Sequence, residues 1–281
     1  MSPDRYAVIG NPVAHSRSPA IHAAFAQETG QAVAYERLWC PMDGFEAVVR
    51  AFAADGGRGC NVTVPFKFEA PALAARCSER ARRAGAANVL LFDAGGGWFA
   101  DNTDGVGLVR DIEVNAGVAL EGRRMLLVGA GGAGAGVLGP LLERRPALVV
   151  VANRTADKAR ALVASHAAWA RQHGVALDAV PLGQPGSRYD IVLNASATSL
   201  QGQASPVPAG VLAPGALAVD LMYGPAAEPF LAWARDAGAS GRDGLGMLVE
   251  QAAEAFFIWR GVRPATAPVL QRLRDDIAAG R

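Results

Sequence analysis

The chain predicts an α/β fold built on a parallel sheet, and three observations carry that prediction. Short apolar runs alternate with helical patterns along most of the sequence. The runs are continuously apolar, as strands buried on both faces are. One of them ends in a glycine-rich loop that opens directly into a helix. With 281 residues, the chain suits one large domain or two modest ones. Hydrophobic residues at 51% against 19% charged leave ample material for a core.

Taken in order, residues 6–9 form an apolar run halted by the turn signal Gly10-Asn11-Pro12. Ser18-Pro19 then offers a helix start, with apolar residues continuing to Thr29-Gly30. Residues 34–39 read as a strand, 44–54 as a helix stopped by Asp55-Gly56-Gly57, and 61–64 as a third strand running into Pro65. Residues 89–92 and 97–100 are expected as two strands joined by a glycine-rich turn. A helix over about 104–117 precedes the clearest local signal, an apolar strand at 125–128 followed by GAGGAGAG and a helical stretch to Arg145. Another buried strand is predicted at 147–152, a helix at 157–173, and strands at 191–193 and 217–221. A long apolar-rich helix over 245–259, an interruption at Pro264 and an amphipathic helix over 269–279 close the chain.

Composition excludes some functions. Lys+Arg number 27 against Asp+Glu 26, a net charge of +1, so no long-range field gathers nucleic acid or an anionic membrane. An anionic ligand must be held by local geometry. Cys40, Cys60 and Cys77 follow no metal-ligand spacing and read as free thiols of a reducing compartment, so no metal is expected. The first residues lack a charged leader and an apolar run, and no stretch has the length of a membrane span, so the expectation is a soluble, cytoplasmic protein.

Gly129, Gly131 and Gly134 satisfy G-x-G-x-x-G between a strand and a helix. Such glycines permit a tight turn and bring backbone close to a pyrophosphate at the helix N-terminus. The motif alone is weak; its strand-loop-helix setting is what makes a dinucleotide site the expectation. A glycine- and alanine-rich helix start chosen for close packing is the plainer alternative. At the end of the next strand, an NAD site carries an acid for the ribose 2′-OH. This chain has Asn153-Arg154-Thr155 there, with Lys158 one turn on. A guanidinium and an ammonium pair with a 2′-phosphate, which a carboxylate repels, so the expected cofactor is NADP. Solvated surface cations are the other reading of Arg154 and Lys158.

Three polar stretches stand out in the first third. Ser16-Arg17-Ser18-Pro19 places two hydroxyls at the mouth of a helix. In Asn61-Val62-Thr63-Val64-Pro65-Phe66-Lys67, Asn61 and Thr63 should share a strand face, with Lys67 just beyond its end. Asp101-Asn102-Thr103-Asp104-Gly105 gathers polar and small residues in one turn. Each has an ordinary structural reading: Ser18 as helix N-cap, Asn102 and Asp104 as turn residues, Lys67 as a solvated lysine. Together they suit a polyhydroxylated carboxylate. Its hydroxyls need donors and acceptors, and hydride transfer at a carbinol carbon needs a proton moved on or off oxygen, which a lysine held by a carboxylate can do. The four histidines, at 15, 22, 166 and 173, read as loop and helix residues, leaving Lys67 and Asp104 as the catalytic candidates.

These residues lie in segments that resemble the shikimate dehydrogenase family: YAVIGNPVAHSRSPAIH, GCNVTVPFK, AGAANVL, DNTDGVG, LLVGAGGAGAGV, VANRT, VDLMYGP and GRDGLGMLVEQAAEAF, in the family's order and over almost the whole chain. The resemblance implies an α/β fold of two domains with a cleft between them. Residues 1–103 plus 238–281 would form the substrate-binding, catalytic domain and 104–237 the NADP-binding Rossmann domain. It implies an oxidoreductase of aromatic amino acid biosynthesis that reversibly reduces 3-dehydroshikimate to shikimate. A monomer or homodimer is expected, and the charge balance and hydropathy above leave no nucleic-acid or membrane partner. By matching motif, Ser16 and Ser18 would bind the substrate carboxylate. Thr63, Asn88, Asp104 and Gln251 would meet its hydroxyls, with Asn61 and Tyr223 nearby, and Lys67 would be the acid/base paired with Asp104. Gly129, Ala130, Gly131, Gly132, Ala133, Asn153, Arg154, Thr155 and Lys158 would hold the nucleotide, with Leu221, Gly244 and Met247 near the nicotinamide. Two departures stand out. The family's AVNT is Ala87-Asn88-Val89 here, which removes a hydroxyl beside a substrate residue, and residues 194–200 are a loosened form of NATSxG. Quinate or a related cyclohexane carboxylate is the alternative substrate, toward which threonine in place of Ser18 would lean. A non-catalytic ligand-binding relative is the alternative role.

Overall fold

In the computed structural model the described residues are 2–279, apart from Ala94, Gly96, Ala197 and 199–204. They form two units, residues 1–107 with 248–281, and residues 108–247. The resemblance had placed the divisions at 103/104 and 237/238.

The first unit starts with β1 (Asp4–Gly10), whose last five residues are buried. The helix α1 (Ser18–Thr29) begins with Pro19 in its first turn, where a missing N–H costs nothing, and stops at Gly30 in the left-handed conformation. Strand β2 (Val33–Trp39) follows, then α2 (Phe45–Ala54), which buries Phe45, Val49 and Phe52. That spacing of four and three residues puts the three side chains on one helix face. Strand β3 (Gly57–Val62) is shifted from its expected position: it begins four residues before Asn61 and ends before Thr63. A short β4 (Arg76–Cys77), the helix α3 (Glu79–Ala84), β5 (Val89–Leu91) and β6 (Phe99–Asp101) complete this part. The sheet order is β2-β1-β3-β5-β6-β4. Strands β1, β2 and β3 are parallel, whereas β5 runs antiparallel to both β3 and β6. The first sheet is therefore mixed, not purely parallel: β5 and β6 are joined by too short a link for a crossover and must fold back as a hairpin.

Helix α4 (Asp104–Arg110) continues as a π-helical turn, Asp111–Asn115, ending close to the expected boundary. The second unit then repeats strand and helix: β7 (Arg124–Val128), α5 (Gly132–Glu143), β8 (Leu148–Asn153), α6 (Ala156–Gln172), β9 (Ala176–Pro181), β10 (Tyr189–Asn194), β11 (Leu212–Asp220), α7 (Glu228–Asp236) and β12 (Ser240–Arg242). Its sheet, in the order β12-β11-β10-β7-β8-β9, is parallel at every pairing. From β7 the chain winds outward through β8 and β9, then returns to the other side of β7 with β10. In sheets of this kind ligands bind at such a reversal, outside the carboxyl ends of the flanking strands, here β7 and β10.

The last helices are α8 (Leu245–Arg260) and α9 (Ala267–Ala278). Tyr6, Val89, Ala255 and Trp259 form one buried cluster of the first unit. The Tyr6 and Trp259 rings stack at 4.6 Å, and the Trp259 indole N–H donates to the Leu90 carbonyl at 3.1 Å. Among the described residues, no helix is long and apolar enough to cross a membrane.

Candidate active site

Lys67 sits in a short helical turn, Phe66–Phe68, directly after β3. The turn is anchored by the buried Phe66, stacked on Phe45 at 4.9 Å, and by the Lys67 carbonyl accepting from the Ala87 N–H at 2.8 Å. Its ammonium lies 2.5 Å from Asp104 Oδ2, with side-chain exposures of 13% and 5%. The pair is thus sheltered from bulk water, but the lysine keeps a path to it. Asp104 is the first residue of α4, where a carboxylate is favoured by the helix N-terminus.

Asn88 organises what surrounds the pair. Its Nδ2 lies 2.8 Å from Asp104 Oδ1, 3.0 Å from Thr103 Oγ1 and 3.1 Å from Gln251 Oε1. Its Oδ1 accepts from the Thr103 N–H at 2.8 Å, which fixes the amide's orientation. Gln251, from α8, also approaches Thr103 Oγ1 at 3.3 Å. Asn102 holds the turn from behind, donating to the Ala86 carbonyl at 2.9 Å and accepting from the Asp104 N–H at 3.1 Å. The buried amides and carboxylate form one connected network, as buried polar groups must. Asn61 joins it by donating to the Asn88 carbonyl at 3.0 Å while accepting from the Tyr35 hydroxyl at 2.7 Å.

Ser16 and Ser18 lie at the start of α1, with Ser16 Oγ 3.1 Å from Ser18 Oγ. Ser18 is not the N-cap: it is already in the helix, Arg17 precedes it, and no side chain caps the end. Ser16 Oγ instead accepts from the Ser18 N–H at 3.3 Å. Thr63, expected on the same strand face as Asn61, lies past the end of β3. Its methyl packs so closely on Gly10 that a β-carbon there would come within 2.3 Å.

In the second unit, Gly129 has φ +112°, a conformation open to glycine, and links β7 to α5. A β-carbon on Gly134 would lie 2.2 Å from the Gly129 carbonyl oxygen, whereas one on Gly131 would meet open space. The loop is therefore folded tightly on itself at one glycine and open at another, a cradle that fits a pyrophosphate at the N-terminus of α5. Asn153 at the end of β8 steadies it, accepting from the Ala130 N–H at 3.1 Å and donating to the Thr155 carbonyl at 2.9 Å. Arg154, Thr155 and Lys158 are exposed beside it. Neither cation forms an ion pair among the described residues, so both remain available to a phosphate. Leu221 and Gly244 lie together, the Gly244 N–H donating to the Met222 carbonyl at 2.8 Å, and Tyr223 and Met247 belong to the same unit. Asn194 is buried and approaches Asp220 Oδ2 at 3.2 Å. Of the loosened 194–200 segment, Ala197, Ser199 and Leu200 lie outside the described residues.

The residues that sequence reasoning left out are Thr103 and Tyr35, which complete the Asn88 and Asn61 bonds. Thr103 was visible within the polar turn, but only its bonds single it out. Val89, which stands where the family carries threonine, is fully buried in an apolar cluster with Tyr6, Ala255 and Trp259.

Comparison with known proteins identifies the family. Profiles described as the shikimate dehydrogenase substrate binding domain, shikimate / quinate 5-dehydrogenase and the shikimate 5'-dehydrogenase C-terminal domain match residues 8–90, 112–201 and 244–274. The chain is 65% identical to the shikimate dehydrogenase (NADP(+)) of Methylibium petroleiphilum, over 98% of this chain and 95% of that one. It is similar to the solved structure of an Ael1 enzyme from Pseudomonas putida, with a TM-score of 0.85, 48% identity and 96% and 98% of the two chains covered. It is also similar to shikimate 5-dehydrogenase from Thermus thermophilus in complex with NADP(H) and shikimate, with a TM-score of 0.82, 33% identity and coverage of 97% and 99%.

Proposed function

Because this chain belongs to the shikimate dehydrogenase family, we propose that it catalyses the reversible, NADP-dependent reduction of 3-dehydroshikimate to shikimate, with Lys67 and Asp104 as its acid/base pair. The observation that carries the residue assignment is the 2.5 Å contact between Lys67 Nζ and Asp104 Oδ2 inside a saturated polar network.

When bound, NADPH supplies the hydride, held by the Gly129–Gly134 loop, Asn153 and the cations Arg154 and Lys158. As the carbonyl carbon of the substrate becomes a carbinol, its oxygen gains negative charge and must take up a proton. Lys67 donates that proton from Nζ, then recovers one from water through its exposed edge. Asp104 keeps the ammonium aimed at the reacting oxygen, and its second oxygen, fixed by Asn88, limits the carboxylate's rotation. In the oxidative direction the neutral amine accepts the proton. Ser16 and Ser18 receive the substrate carboxylate, while Asn88, Thr63 and Gln251 select its ring hydroxyls. Sites that hydrogen-bond hydroxyls reject ligands lacking them, because buried partners would be left unpaired.

Adding shikimate and NADP+ to the purified protein should raise the absorbance of reduced nicotinamide, with weaker signals from quinate and from NAD+. No signal with any of the pairings would end this reading.

A further inference from the structure

Arg37 lies on β2, two residues after Tyr35, so the two side chains leave the same face of the strand. Tyr35 stacks on His22 of α1 at 4.2 Å. Arg37 reaches the loop that enters the same helix, where its Nε and Nη2 both donate to the Ser16 carbonyl, at 2.9 and 2.7 Å. A planar fork on one oxygen fixes a peptide's orientation better than a single bond does. Its neighbour Glu36 is paired with Arg5. Arg37 itself has no carboxylate within salt-bridge distance among the described residues. The result is a guanidinium with uncompensated charge bound to the backbone of the serine loop, in a chain whose net charge of +1 offers no general attraction for anions.

We propose that Arg37 is a positioning and selectivity residue for the substrate's anionic group. The fork holds the Ser16 peptide so that the Ser16 and Ser18 hydroxyls face the ligand together, and its charge favours a carboxylate there over a neutral substituent. The proposal rests on the assignment of the two serines to the carboxylate. It adds a residue on another strand that makes their loop discriminate charge.

The test compares shikimate with its neutral methyl ester, measured as an inhibitor, in the wild type and in Arg37→Met, Arg37→Lys and Ser16→Ala. Arg37→Met should raise KM for shikimate about fivefold, the upper end for an exposed charge, with a much smaller change in kcat. The ester's inhibition constant should hardly move, so discrimination between acid and ester shrinks. Arg37→Lys should restore part of that discrimination, since the charge returns without the fork. An unchanged acid-to-ester ratio in Arg37→Met overturns the proposal while leaving the serine assignment intact, provided Ser16→Ala lowers the same ratio. If Ser16→Ala also leaves the ratio unchanged, the serine assignment fails and the proposal falls with it.

Discussion

Lys67 owes its place to its neighbours: Phe66 fills the core on one side and Ala87 holds its carbonyl on the other. Truncating it leaves those anchors untouched, so Lys67→Ala should keep the fold, less stable for the unpaired Asp104, yet lose turnover by about a hundredfold or more, with little change in NADP affinity. Stopped-flow or steady-state kinetics beside a nucleotide titration would separate the two. Gly134 makes the opposite test. An added methyl there would meet the Gly129 carbonyl oxygen at 2.2 Å, and backbone cannot step aside as a flexible side chain can. Gly134→Ala should weaken NADP binding with the Lys67 network intact, measurable as quenching of protein fluorescence. At this scale the sequence was informative wherever chemistry is rare: a lysine beside a turn, or glycines spaced for a loop. It said less about partners. Nothing in Tyr35 or Thr103 taken alone distinguishes a bond to a site asparagine from an ordinary strand or turn residue.

Elements were legible in proportion to their length and burial. The apolar strands β1, β7, β8 and β10 and the long α6 and α8 stand where pattern placed them, within a few residues. The missed ones are short or marginal. Strand β9 lies at the sheet edge with alternating partial burial, α3 spans Glu79–Ala84 only, and Pro229 near the start of α7 reads as a breaker although a first-turn proline is tolerated. Strand β3 misled because its polar alternation continues past the point where the chain turns. The junction of β8 and α6 holds the cofactor prediction: Arg154→Ala should raise KM for NADP about tenfold, as loss of a charge-assisted contact does, and leave NAD kinetics nearly unchanged. The start of α8 holds another. Asp111, fully buried, grips Arg242 through both oxygens at 2.5 and 2.7 Å, and a β-carbon on Gly246 would fall 1.7 Å from Asp111 Oδ1. Gly246→Ala should therefore destabilise the protein by about 3 kcal/mol, the cost of disturbing a buried ion pair, seen as a lower urea midpoint.

The molecule as a whole should be sensitive to mild acid through one ring. His22 is fully buried among Tyr35, Phe25, Phe256 and Trp259, and burial pushes its pKa from 6.5 down to about 3. The unfolded chain then binds a proton that the folded one refuses between those values, so stability falls as pH drops below 6.5, approaching ~1.4 kcal/mol per pH unit. Asp4, held below the ordinary carboxylate range by Arg260, contributes in the same direction only at lower pH. A His22→Gln variant should flatten the upper part of the acid transition, and an undiminished slope between pH 6 and 5, where about 1 kcal/mol is at stake, would contradict the assignment.

The first sheet contains β1 near the start of the chain, yet the Tyr6 ring needs Trp259 for its cover, and Asp4 needs Arg260. Residues 108–247, by contrast, are one unbroken stretch. On the ribosome the second unit, to which we assign the nucleotide, has everything it requires first, while residues 1–107 wait with an apolar edge exposed until α8 and α9 emerge. A chain truncated after residue 247 and released should accordingly bind nucleotide through its second unit but recruit chaperones through residues 1–107.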